Sequence, residues 1–121
     1  MNEPSGTPKH ILVADDEEAV RDAIGMLLTI DGHTVVSAVN GEDALERYRK
    51  EKFDLVLTDF QMPGMKGTEL AMAIRRLAPS QPIIMVTAHD TPPPGASNPV
   101  NAVVHKPFTL ELLRRTIRAH S

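Results

Sequence analysis

The chain contains neither cysteine nor tryptophan. Without cysteine there are no disulfides, no thiolate nucleophile and no sulfur-ligated metal, and the absence fits a reducing compartment. Aromatics are almost as scarce, at 3%, and are confined to Tyr48, Phe53, Phe60 and Phe108. A core must therefore be aliphatic, built from Ile, Leu, Val, Met and Ala. No apolar run is long enough to span a bilayer, and the polar start of the chain has no signal-peptide stretch. Positive charge is not in excess either. The net charge is −3 and the pI about 5.9, so no general field favours nucleic acid. Arg114, Arg115 and Arg118 form one local basic group, read as a solvated helix end that complements the helix dipole. These absences point to a soluble, cytoplasmic protein with no membrane partner and no direct nucleic-acid binding.

What is present fits one domain. The 121 residues, 41% hydrophobic and 24% charged, suffice for a single core. Residues 1–8 read as a flexible N-terminal segment and 9–121 as the domain. Apolar runs alternate with helical patterns throughout. The runs at 10–14, 34–38, 55–59, 83–87 and 102–105 have strand length. Between them, Val20, Ile24, Leu27 and Leu28 mark one helix face, Ala44, Leu45 and Tyr48 a second, and Leu70, Ile74 and Leu77 a third. Gly32 ends the first helix, and Thr109 caps a last one carrying Leu110, Leu113 and Ile117 inward. Strands that are apolar throughout are buried on both faces, which implies an α/β fold with a parallel, doubly wound sheet.

One helix is missing from this alternation. The segment from His89 to Pro99 holds Pro92, Pro93 and Pro94 in a row and few large apolar side chains. Proline inside a helix costs about 3 kcal/mol, so the segment is expected to be an irregular, mobile crossover with the fourth helix absent or disordered.

Ligands of open parallel sheets bind outside the carboxyl ends of the strands. Those ends carry Asp15 and Asp16, Asp59, Thr87 and Lys106. Taken singly each has an ordinary role: a cap, a turn, a strand-end threonine, a solvated lysine. Taken together they place acids, a hydroxyl and an ammonium at one edge. Clustered carboxylates call for a cation, and an all-oxygen donor set selects a hard one such as Mg²⁺, which shares its remaining positions with phosphate. Lys106 suits a phosphate oxygen. The set reads as a phosphoryl-transfer site with Asp59, alone at the end of the central strand, as nucleophile.

The pieces Ala14-Asp15-Asp16-Glu17, Thr58-Asp59-Phe60-Gln61-Met62-Pro63-Gly64, Val86-Thr87-Ala88 and Lys106-Pro107-Phe108 closely resemble the receiver domain of two-component response regulators. The resemblance runs from about Lys9 to the end. It implies a flavodoxin-like five-stranded sheet of order 2-1-3-4-5. It implies Asp59 as phosphoacceptor, Asp16 as a direct Mg²⁺ ligand, Asp15 acting through a water, and the backbone carbonyl of Gln61 as a further ligand. Thr87 is then the switch hydroxyl, Lys106 the phosphoryl partner, and the Lys106-Pro107 bond is expected to be cis. Partners would be a sensor histidine kinase or phosphotransfer protein upstream, and a protein target or output domain downstream. The chain would be a signalling switch, with only self-phosphorylation and self-dephosphorylation chemistry.

Two departures from the family stand out. Val103 occupies the position three before the lysine, where the family usually has an aromatic, and the Pro-rich crossover replaces a helix. Read-out is therefore expected to run through the 90–101 segment, ordered when Thr87 is drawn toward the phosphate. Other readings are weaker. A haloacid-dehalogenase-type phosphohydrolase needs a second Asp close after the nucleophile, where this chain has Phe60 and Gln61. A phosphorylation-independent module need not keep the full acidic set. A flavin mononucleotide binder would meet repulsion from Asp15 to Glu18.

Overall fold

The computed structural model describes residues 8–120. All but the last residue of the expected N-terminal segment 1–8 lies outside the described residues, as does Ser121. Five strands and four helices follow one another: β1 (His10–Ala14), α1 (Glu18–Ile30), β2 (Thr34–Ala38), α2 (Gly41–Lys50), β3 (Leu55–Thr58), α3 (Gly67–Leu77), β4 (Ile83–Thr87), β5 (Ala102–His105) and α4 (Leu110–His120). The strands form one sheet in the order β2-β1-β3-β4-β5, with every neighbouring pair parallel. This is the doubly wound, flavodoxin-like sheet expected from the strand patterns and the resemblance.

Alternation along the strands explains why their apolar runs are unbroken. Leu12, Ala14, Val56, Ile83 and Met85 face one core, with Ala44 and Leu45 of α2 and Leu70, Ala71 and Ile74 of α3. Their neighbours Ile11, Val13, Leu55, Leu57, Ile84 and Val86 face the other, with Ile24 and Leu28 of α1 and Leu113 and Ile117 of α4. Each fully buried side chain of this kind stabilises the fold by about 1.5–3 kcal/mol. The edge strands β2 and β5 are only partly buried, so covering of both faces holds for the three central strands.

Helix ends follow local chemistry. Asn40 accepts the Asp43 N–H at 2.8 Å and caps α2, and Thr109 accepts the Leu112 N–H at 3.0 Å and caps α4. Gly32, at φ 92°, takes the left-handed conformation that closes α1. Two expectations need correcting. Leu77 is 53% exposed: its angular position is right, but it is the last residue of α3, where the helix end meets solvent. Arg114 is not simply solvated, because its guanidinium donates to both Asp31 oxygens at 2.7 and 2.6 Å and ties α4 to the end of α1.

Residues 88–101 form no helix, in line with the proline content. Polar anchors hold the crossover instead. Arg75 of α3 donates to the carbonyls of Pro99, Pro79 and Gln81 and to Asn101 Oδ1. Asn101 Oδ1 also accepts the Ile83 N–H at 2.8 Å, and the Asn101 N–H reaches Ile83 O at 2.7 Å, setting β5 beside β4. Asn98 is fully buried, and its amide donates to Pro92 O at 2.7 Å and toward the Met85 sulfur at 3.8 Å.

Gly67 opens α3 where space is tightest. A Cβ there would lie 2.0 Å from the Asp59 carbonyl oxygen and 3.1 Å from Met85 Cε. Gly67→Ala is expected to lower stability by about 2–3 kcal/mol, read as a fall in the urea midpoint, because the Asp59 peptide must move and the Met85 methyl must give way. His33 generates a second prediction. It is buried, its Nδ1 accepts the Lys9 N–H at 3.0 Å, and burial lowers its pKa below the usual 6.5. The unfolded chain then binds the extra proton first. Stability is full above about pH 6.5 and falls as the pH drops toward the lowered folded value. His33→Gln, which keeps an acceptor for Lys9, should flatten that loss in urea titrations between neutral and mildly acid pH.

Candidate functional site

The register of the sheet brings the polar residues to one edge. Ala14 is level with Thr58, Thr58 with Met85 and Thr87 with His105. Asp15, Asp59 and Lys106 each immediately follow the last residue of their strand. Backbone bonds extend the ladder into these positions: the Asp59 N–H donates to Ala14 O at 3.0 Å, the Asp15 N–H to Ala38 O at 3.2 Å, and the Lys106 N–H to Thr87 O at 2.8 Å. The sheet itself therefore positions the nucleophile candidate and its cation.

The side chains converge as the sequence suggested. Lys106 Nζ lies 3.2 Å from Asp15 Oδ2 and 3.7 Å from Asp59 Oδ2. Asp15 and Asp59 are buried, at 2% and 5% exposure. Asp59 Oδ1 accepts the Phe60 N–H at 2.7 Å, so Oδ2 is the oxygen left facing Lys106. Asp15 Oδ1 accepts the Glu17 N–H at 2.9 Å, and Arg21 Nη1 donates to the Asp15 carbonyl at 2.8 Å. Burial raises the Asp15 pKa above the usual carboxylate value. The Glu17 N–H and Lys106 pull it down, and the Asp59 charge pushes it up again.

Among the described residues, one carboxylate group is fit for a cation: oxygens of Asp15, Glu17 and Asp59 lie within 4.8 Å of one another. Glu17 was not singled out in the sequence. It stood inside the acidic run after β1, but its reach toward Asp59 is a property of the turn into α1. Asp16 is exposed beside this group and outside it. Gln61 is exposed at the start of the β3–α3 loop. Thr87 is fully buried, and its Oγ1 accepts the His89 N–H at 3.1 Å, which ties the hydroxyl to the crossover. The Lys106-Pro107 bond is cis, as the resemblance implied. An open groove of about 530 Å³ between Tyr48, Phe53, Ala78 and Gln81 lies at the other end of the sheet and contains none of these groups.

A doubly wound sheet with a lysine closing a buried acidic pair at its carboxyl edge defines a class of phosphate-handling α/β domains. The chain belongs to the response regulator receiver domain family, which matches residues 11–118. It is thus a phospho-accepting signalling domain of the two-component type. The chain is 37% identical over 89 residues to transcriptional regulatory protein GlrR of Escherichia coli, covering 74% of this chain and 20% of that protein. It is 34% identical over 113 residues to the transcriptional regulatory protein YkoG of Bacillus subtilis, covering 91% of this chain and 50% of that one. It therefore spans a fifth to a half of the length of these relatives. Among solved structures, the response regulator TrrA from Thermotoga maritima in complex with Mg²⁺ and BeF superposes with a TM-score of 0.88 at 32% identity, over 93% of this chain and 99% of that one. The chemotaxis protein CheY4 of Vibrio cholerae gives 0.87 at 28% identity, over 95% of this chain and 100% of that one.

Two buried carboxylates share one ammonium here, so removing one negative charge relieves repulsion and desolvation. Asp15→Asn, whose amide oxygen can still accept from Glu17, is expected to raise the thermal midpoint in chelator at neutral pH. At pH values below the raised Asp15 pKa the wild-type carboxyl is neutral and the gain should shrink. Differential scanning calorimetry at the two pH values checks both statements.

Proposed function

We propose that Asp59 is the phosphoacceptor of this receiver, and that Lys106 and a hard cation hold the incoming group. The convergence of Lys106 on both buried acids is the observation that carries the reading. With Oδ1 held by the Phe60 N–H, Oδ2 attacks phosphorus. The O–P bond forms as the P–N bond to the donor imidazole breaks, and the imidazole leaves neutral once protonated. Lys106 stays beside the equatorial oxygens as charge builds on them. Thr87 can donate its hydroxyl proton to the phosphoryl group while its oxygen continues to accept from His89 or lets that bond go.

The donor set fits Mg²⁺: it is all oxygen, acidic, and crowded enough that burial and like charge already raise one member. Asp15 and Asp59, Asp16 or Glu17 from the turn, and the Gln61 carbonyl would hold the ion. Bound there, Mg²⁺ neutralises phosphoryl oxygens and favours in-line displacement. TrrA, the structural relative described with Mg²⁺ and BeF, supports the same assignment.

The upstream partner is a sensor histidine kinase or phosphotransfer protein, and the downstream partner a protein target or an output domain. The domain, residues 9–121 by this reading, works in the cytoplasm as a switch and does not turn over external phosphates. We assign it no direct nucleic-acid contact, in keeping with its net charge of −3. Among the described residues no helix is long and apolar enough to cross a membrane.

Incubation with Mg²⁺ and acetyl phosphate is expected to add one phosphoryl mass to the intact protein. Asp59→Asn and added chelator should each abolish the adduct, and Lys106→Met should lower its yield about tenfold or more, as loss of one charge-assisted contact does. An adduct that persists in Asp59→Asn would overturn the assignment. Under the same conditions Asp16→Asn and Glu17→Gln, compared by Mg²⁺ titration, identify which acid of the turn holds the ion.

A further inference from the structure

The crossover from 88 to 101 is attached to the site at both ends. At its start, the His89 N–H is bound to the Thr87 hydroxyl at 3.1 Å. Near its end, buried Asn98 reaches back to the Met85 sulfur at 3.8 Å and closes onto the Pro92 carbonyl at 2.7 Å. Met85 pairs in register with Thr58, the residue before the phosphoacceptor, and its methyl borders the same glycine as the Asp59 carbonyl. The Met85 methyl and the Asp59 carbonyl oxygen would lie 3.1 and 2.0 Å from a Gly67 Cβ. A shift of the Asp59 peptide would therefore be felt at Met85, which is fully buried and tied to the same strand by the Thr58 pairing.

The far end of this chain of contacts is poised to change. Asn98 Oδ1 and Thr91 Oγ1 are both buried without a hydrogen-bond partner, while the main chain around them closes a small bridge between Gly95 and Asn98. Unpaired buried acceptors are costly, so a rearranged segment that exposes them lies close in free energy. Pro92, Pro93 and Pro94 stand exposed between the two anchor points.

We propose that Asn98 is a latch that couples the site to this crossover: Asp59, Gly67, Met85 and Asn98 form a second route beside Thr87, and phosphorylation releases the 91–98 segment. The inference rests on Asp59 being the phosphoacceptor. It gives the domain a read-out that needs no aromatic at Val103, which is half-buried against the same core. The bonds already present make the event a release, where the sequence alone suggested ordering.

Beryllofluoride with Mg²⁺ serves as the probe, with a fluorine-19 resonance reporting its binding and amide hydrogen exchange reporting the segment. In the wild type, saturating beryllofluoride is expected to speed exchange at the Gly95, Asn98 and Val100 amides, which are bonded at 3.0, 3.1 and 2.7 Å, by about tenfold or more. Asn98→Ala should bind beryllofluoride with these amides already fast and no longer responsive. Met85→Leu, which keeps the volume but removes the sulfur acceptor, should give an intermediate baseline and a smaller response. Bound beryllofluoride with unchanged exchange in the wild type, or a full response in both variants, would overturn the latch and leave the phosphoacceptor standing. Absence of the bound fluorine signal would overturn the phosphoacceptor, and the latch with it.

Discussion

Everything at the carboxyl edge of this sheet depends on one buried electrostatic arrangement, in which the Lys106 ammonium sits between the carboxylates of Asp15 and Asp59. Such a triad carries a desolvation cost that the ion pairs only partly offset. It persists because β1 and β3, buried on both faces, fix the two acids, and the pairing of β5 with β4 holds the lysine beside them. The core is thus the cause of the site's charge density. The same density makes the edge receptive to a divalent ion and a phosphoryl group, which exchange repulsion for coordination.

Positioning comes from main chain more than from side chains. Asp59, Asp15 and Lys106 each donate a backbone N–H to a neighbouring strand or its end, so a change in one strand's register would move a charge by a residue's length. The Asp59 peptide is further confined by Gly67 on one side and by the Thr58 hydroxyl, which donates to the Asp59 carbonyl at 2.9 Å, on the other. A nucleophile with so few degrees of freedom has most of its orientation settled before a donor arrives.

Much of this was legible in the sequence, for physical reasons that can be named. The five strands stood out because burial on both faces leaves no polar interruptions, and the acids stood out because they interrupt those runs only at the ends. Asp15, Asp59 and Lys106 meet as that logic required. Glu17 was not distinguishable, since its approach to Asp59 depends on how the chain turns into α1. Arg75 and Asn98 were invisible for a related reason: their partners are loop carbonyls, the Asn101 amide oxygen and a sulfur, whose approach depends on loop conformation that no local pattern encodes. Leu77 shows the converse case, where helical spacing gave the correct face but carried no information on how much of the helix end is covered.

The cover over the inner face of β4 and β5 has a thermodynamic character of its own. Where a helix would bring apolar area, this chain brings the Arg75 and Asn101 bonds and the Asn98 amide. Opening such a seam breaks mainly polar bonds and uncovers Val100 in place of a whole helix face, so it adds less to the heat capacity of unfolding than a packed helix would. With a small heat-capacity change the enthalpy of opening stays nearly constant, so the free energy of opening runs close to linearly with temperature while apolar burial elsewhere weakens on cooling.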